Sequence, residues 1–206
     1  MKYGKWNEPC CVQGSDMTTP VSRTSATHGF SLVEVMIVVA IIGIMGGAAA
    51  IVTPRMLAQS KADSSLTAAL STIRLVQERS VGERRNFDVV FTAPNRIRMY
   101  RVLVPGPGST LVTDVRLETG QKFMQFAGLP DTPDAFGAGA PLSFGVTPTM
   151  TFTSEGSFVD SSGDVLNGTV FLGHDGQDAT SARAITIFGA TGLVRSWRWD
   201  GRRWVE

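Results

Sequence analysis

The chain has 206 residues, 43% of them apolar and 18% charged, a composition that excludes wholesale disorder and leaves room for one ordinary domain or two small ones. Nineteen basic against eighteen acidic side chains leave a net charge of +1, so no global field of either sign advertises a polyionic partner, and any such partner must meet a local patch. The two cysteines, Cys10 and Cys11, are adjacent, which makes neither a disulfide framework nor the spacing of a zinc site.

Residues 1–29 are polar, rich in Ser, Thr and Pro, and show neither helical nor strand periodicity, so they read as a leader. From Phe30 to Val52 the chain is apolar apart from Ser31 and Glu34. As a helix that run is roughly 35 Å long, enough to cross the hydrocarbon core of a bilayer. A soluble helix of this length would show a polar stripe, and none exists between Val35 and Val52. The alternative is the apolar region of a secretory signal peptide cut near Ala48, Ala49 and Ala50. Such regions run about 7–15 residues and do not carry a carboxylate, which weighs against it. Lys2, Lys5 and Arg23 precede the run, and Arg55 and Lys61 follow it, so the positive-inside bias puts the leader on the cytoplasmic side by a small margin.

The junction His28-Gly29-Phe30-Ser31-Leu32-Val33-Glu34 resembles the processing site of type IV prepilins. That resemblance implies a cut between Gly29 and Phe30 by a membrane-embedded prepilin peptidase and N-methylation of Phe30. Glu34 then becomes the fifth residue of the mature chain. Met17 would be a start codon giving a leader of more typical length. A carboxylate at this depth costs of order 2.5–3.5 kcal/mol unless it is paired. In the family the partner is the new terminal amine, within the subunit before assembly and on a neighbour afterwards; the alternative is a carboxylate that snorkels unpaired. On this reading Glu34→Ala leaves insertion and cleavage intact and reduces entry into a filament. Gly43 and Gly47 form a GxxxG pair that allows close helix approach in lipid, although glycines are common in membrane helices.

Pro54 is expected to kink the helix without ending it. Leu66, Leu70, Ile73 and Val76 resume helical spacing on one stripe, and Gly82 is the expected stop, so the amphipathic continuation covers residues 53–82. After it the period changes to two. Phe87, Val89 and Phe91 alternate with polar positions, Ala93-Pro94-Asn95 makes a turn, and Ile97 and Met99 alternate on the return strand. Further strands are predicted at 110–117, 121–126, 149–153, 169–172, 184–188 and 193–199, with 128–141 an exposed loop. The class is α+β: a long N-terminal helix packed on a small, mostly antiparallel β domain over residues 83–206.

Catalytic chemistry is sparse. His174 is the lone histidine after leader removal, and in Gly173-His174-Asp175-Gly176 it reads as a turn residue. Asp160, Asp164, Asp175 and Asp178 lie in Gly/Ser-rich turns without the pattern of a dedicated calcium loop. No cofactor or metal is expected, and no enzyme activity.

At the carboxyl end Asp200-Gly201 is the preferred two-residue hairpin turn. It would set Trp199 against Arg202, Arg198 against Arg203 and Trp197 against Trp204. Like charges facing across a sheet are destabilising, which points Arg195, Arg198, Arg202 and Arg203 toward an anionic partner or a neighbouring subunit. Arg84, Arg85, Arg96, Arg98 and Arg101 form a second basic stretch. The pattern is similar to H-type minor pseudopilins of type II secretion and fimbrial-T minor pilins, some of which bind DNA through a carboxyl-terminal arginine motif; here Leu193 replaces its first arginine. The resemblance implies a minor pilin or pseudopilin with the leader in the cytoplasm and the β domain in the periplasm, anchored in inner-membrane lipid. Its partners are prepilin peptidase and other pilins, with nucleic acid the alternative.

Overall fold

The computed structural model describes residues 29–145, 147–160 and 162–206. Residues 1–28, with Cys10, Cys11, Met17 and His28, lie outside the described residues. The first element is the helix α1, Leu32–Glu83. It continues through Pro54, which has no N–H to give to the preceding turn, and the neighbouring Thr53 hydroxyl donates to the Ala49 carbonyl at 2.7 Å. The chain divides into two compact units, one ending at Met45 and one running Gly46–Glu206.

Within the second unit, the buried stripe of α1 is built from smaller side chains than periodicity suggested. Ala58, Ala62, Ser65, Ala69, Thr72, Ile73, Val76 and Ser80 are buried, while Leu66 and Leu70 only flank the contact. Small residues let the helix backbone lie close to the β-strands, so alanine and serine take the centre and leucine the margins. The buried hydroxyls are satisfied: Ser65 Oγ accepts from the Glu118 N–H at 3.2 Å, and the Thr72 and Ser80 hydroxyls donate to the Ala68 and Gln77 carbonyls.

The helix does not stop at Gly82. It runs to Glu83, and Arg84 takes the left-handed conformation at φ +50°. The Arg84 N–H donates to the Val81 carbonyl at 3.3 Å and the Arg85 N–H to the Ser80 carbonyl at 3.1 Å, the paired bonds of a Schellman cap. Glycine is the usual residue there because a Cβ is strained at positive φ by roughly 1–2 kcal/mol. Arg84→Gly is therefore expected to raise stability by about 0.5–1 kcal/mol after the entropy cost of glycine. Urea unfolding of the detergent-solubilised chain measures it, and an unchanged or lowered midpoint counts against the strain.

Among the described residues eleven strands follow: β1 Phe87–Thr92, β2 Arg96–Val102, β3 Ser109–Arg116, β4 Gln121–Phe123, β5 Leu142–Ser143, β6 Thr149–Phe152, β7 Phe158–Val159, β8 Gly168–His174, β9 Arg183–Ile187, β10 Val194–Trp199 and β11 Trp204–Val205. They form two sheets, ordered β3-β2-β1-β6-β7 and β11-β10-β9-β8-β4, with β5 also paired to β8. Every pairing is antiparallel. The first hairpin follows the expected register, Phe91 opposite Ile97 and Val89 opposite Met99, with all four side chains buried. Its loop is locked from the side, since the Asn95 amide donates to the Leu117 carbonyl and the Leu117 N–H to the Asn95 carbonyl.

One apolar cluster joins Ala69, Ile73 and Val76 of α1 to residues of both sheets, including Phe87, Met99, Phe152, Ile185 and Ile187. A second comprises Phe171, Ala182, Ala184, Trp197, Trp199 and Trp204. The 128–141 segment, expected as an exposed loop, contributes to that second cluster through Leu129 and Ala138. The segment is braced on itself and held by an aromatic contact. The Asp131 carboxylate accepts from the Thr132 and Gly137 N–H groups, and Phe136 meets Phe188 edge-on at 4.7 Å.

Candidate functional site

Gly29, Phe30 and Ser31 precede the helix and are exposed. The first helical hydrogen bond runs from the Val35 N–H to the Ser31 carbonyl at 3.1 Å, so Ser31 occupies the N-cap and Glu34 the third helical position. An acid there meets the partial positive charge of the unpaired N–H groups, an effect confined to the first turn. From Leu32 to Ala49 the helix is long and apolar enough to cross a membrane, and none of those eighteen residues is buried within the chain. Gly43 and Gly47 are exposed, and a Cβ built on either meets nothing within 4 Å.

Eleven large apolar side chains between Leu32 and Met45 stand exposed. At about 1.5–3 kcal/mol for each side chain left in water, their sum is at least ~15 kcal/mol. That equals or exceeds the whole folding stability of a typical domain, roughly 5–15 kcal/mol. Such a surface requires lipid or other apolar helices around it.

The turn of the carboxyl-terminal hairpin sits one residue later than expected, which moves every cross-strand partner by two. Trp199 faces Trp204 and Arg198 faces Val205, with the Asp200 N–H donating to the Arg203 carbonyl at 3.1 Å. The two central residues are therefore Gly201 and Arg202. Gly201, at φ +99°, takes the first central position, which strains any residue with a Cβ. Asp200 flanks the turn because its carboxylate caps it, accepting from the Arg202 and Arg203 N–H groups at 2.7 and 2.8 Å. The predicted Trp197–Trp204 facing is absent. Instead Trp199 and Trp204 meet edge to face at 5.4 Å, Trp204 Nε1 donates to the Pro130 carbonyl and Trp197 Nε1 to Thr186 Oγ1.

This register removes the opposed pair Arg198 and Arg203, and with it the argument for an anionic partner at that point. Arg198 lies opposite Arg183 on its other side, and Arg183 is neutralised by Asp63. Arg195 is 3.0 Å from Asp134 and stacks over Phe188. Arg202 and Arg203 remain exposed at the turn. The second basic stretch is also divided: Arg96 and Arg98 share Asp114, Arg101 pairs with Glu83, and Arg85 donates to the Val104 carbonyl.

The backbone N–H groups of Arg203 and Arg202 hold the Asp200 carboxyl below its ordinary value of 3.8. A carboxylate with a lowered folded pKa stabilises at pH above its unfolded value, and that contribution is lost as pH falls through the lower folded value. Tryptophan fluorescence of the hairpin is thus expected to be flat from neutral pH to about pH 4 and to change below it. Asp200→Asn should remove part of that acid limb. Asp175, lowered by its hydrogen bond from Lys122 at 2.6 Å, titrates in the same window, so the difference between wild type and variant isolates the turn. Identical acid limbs would show that Asp200 contributes nothing.

The turn acids are engaged separately. Asp160 accepts from the N–H groups of Ser162 and Asp164, Asp175 holds Lys122, and Asp178 caps the 3-10 turn Ala179–Ser181. Among the described residues no group of three or more His, Cys, Asp or Glu converges to hold a metal. His174, expected in the turn, is instead the last residue of β8, opposite Gln121, and its Nδ1 contacts the carbonyl of Asp175, where the turn begins, at 2.9 Å.

Residues 24–50 match the family model described as the prokaryotic N-terminal methylation motif, spanning Gly29, Phe30 and Glu34. The amino-terminal segment therefore carries that motif. Among solved structures, the chain is similar to the minor pseudopilin EpsH of the Type 2 Secretion System of Vibrio cholerae, with 14% identity over 67% of this chain and 97% of that one and a TM-score of 0.47. It is also similar to the type IV minor pilin FimU of Pseudomonas aeruginosa, with 14% identity over 75% and 96% of the two chains and a TM-score of 0.45. No curated protein matches the chain by sequence.

Proposed function

We propose that the chain is a minor pilin or pseudopilin, a structural subunit of a type II secretion pseudopilus or type IV pilus that acts by assembly and catalyses nothing. The observation that carries this reading is the methylation motif, whose Gly29-Phe30 junction is non-helical and leads directly into the exposed apolar helix Leu32–Ala49. In it residues 1–29 are a cytoplasmic leader, 30–52 cross the inner membrane and later enter a filament core, 53–82 continue the helix, and 83–206 form the periplasmic domain. Prepilin peptidase hydrolyses the Gly29–Phe30 bond, water supplying a hydroxyl to the Gly29 carbonyl carbon and a proton to the Phe30 nitrogen. That nitrogen is then methylated. Lipid surrounds the helix until neighbouring pilin helices replace it, and Gly43 and Gly47 allow their close approach.

Mass spectrometry of the protein from its native host tests the reading. The expected terminus is N-methylated Phe30, and Gly29→Leu should leave the leader attached. An intact start in the wild type, or a new terminus near Ala48–Ala50, overturns it.

A further inference from the structure

We propose that Ser31 is a positioning residue for processing: as the N-cap it stops the helix short of the Gly29–Phe30 bond and keeps that bond in extended backbone, where a peptidase can reach it. The proposal rests on the processing reading above. The helix begins at Leu32, the Val35 N–H reaches the Ser31 carbonyl, and Gly29 and Phe30 are non-helical and exposed. Were the helix one turn longer, the Gly29 carbonyl would accept from the Val33 N–H and the scissile bond would be wound into the first turn.

The apolar run alone does not set that boundary. Four N–H groups are left unpaired at any helix start, and in or near lipid each is costly. Extending the helix upstream moves the set without reducing it; a side-chain cap reduces it. Ser31 is among the residue types that cap best, and Ser31-Leu32-Val33-Glu34 has the S-x-x-E spacing of a capping box, in which serine serves the third N–H and the glutamate returns to the N–H of the serine. Phe30 and Val35 stand at the spacing of the accompanying hydrophobic staple. Upstream, Gly29 has no side chain to cap with, and the next residue with a capping side chain is Thr27. A helix begun there would take Gly29 and Phe30 as its second and third residues. Ser31 thereby decides between a start that exposes the cleavage point and one that buries it in hydrogen bonds.

The test uses the full chain in lipid with purified prepilin peptidase, comparing wild type, Ser31→Leu and Ser31→Thr. Ser31→Leu is expected to be cut roughly threefold to thirtyfold more slowly, the range of a lost N-cap, and Ser31→Thr close to the wild-type rate. Backbone carbon shifts of Phe30, measured by NMR without peptidase, should be extended in wild type and Ser31→Thr and helical in Ser31→Leu. Equal cleavage of wild type and Ser31→Leu overturns the proposal. So does slow cleavage with Phe30 still extended, since Ser31 would then be read by the peptidase itself. If the wild type is not cut at Gly29 at all, the processing reading fails, and the NMR comparison still decides the cap.

Discussion

In Glu34→Gln the chain should insert and lose its leader normally yet become at least about tenfold scarcer in sheared filaments. Glutamine keeps the hydrogen-bonding reach of the third helical position, so the helix start is preserved, but it carries no charge. What is lost is attraction to the terminal amine. A carboxylate left unpaired in lipid costs of order 2.5–3.5 kcal/mol, so pairing can contribute about two decades in an assembly equilibrium. Alanine should show the same assembly defect with at most a modest slowing of cleavage, because the Ser31 hydroxyl remains. Immunoblots of sheared and membrane fractions measure the ratio, and wild-type incorporation of Glu34→Gln would end the pairing role.

Asp63→Ala should be among the most destabilising changes at the surface of the β-bearing unit. The Arg183 side chain is 1% exposed while Asp63, its partner at 2.7 Å, is half exposed. Arg183 also donates to the Thr180 and Ala182 carbonyls at 3.0 and 2.9 Å, so the guanidinium is fixed where water cannot replace the lost carboxylate. Breaking a buried pair costs about 3–5 kcal/mol, and the exposure of Asp63 reduces this to about 2–3 kcal/mol. Arg183→Met in the same chain removes the stranded charge and should recover about 1 kcal/mol. Denaturant unfolding of the four members of the cycle decides it. Full additivity would mean that the two residues do not act as a pair.

Elements governed by local periodicity were legible. The α1 helix and the β1–β2 hairpin follow from apolar spacing at 3.6 and at 2; the hairpin's buried face agrees with that spacing, whereas in α1 only Ile73 and Val76 of the expected stripe are buried and Leu66 and Leu70 flank it. Strand β8 was found but underestimated in length and β9 was placed one residue late, because both are buried on both faces and lose the alternation that marks strand ends. Strands β5 and β7, two residues each, are too short to carry a pattern. The helix stop was misplaced because glycine is the usual left-handed cap, whereas Arg84 holds that conformation through two backbone hydrogen bonds. At the hairpin, Asp-Gly admitted two turn positions one residue apart, with cross-strand partners two residues apart, and carboxylate capping by Asp200 selected the later one.

Asp134 escaped sequence reading for a different cause. It accepts from Arg195 and from the Thr186 hydroxyl, residues more than fifty positions away. Its carboxylate is 7% exposed and pins the 128–141 segment onto the β9–β10 surface, a contact for which composition offers no signal.

Sequence by itself determined the amino-terminal half of this protein: a motif, a charge and an apolar run act through neighbours three or four residues apart, and helical geometry makes such neighbours predictable. Tertiary structure decided which arginines carry a charge toward solvent. Asp63, Asp114 and Asp134 reach their arginines across separate strands or from helix to sheet. Coulomb attraction and desolvation depend on distance and burial, and for residues 16 to 120 positions apart the fold alone supplies both.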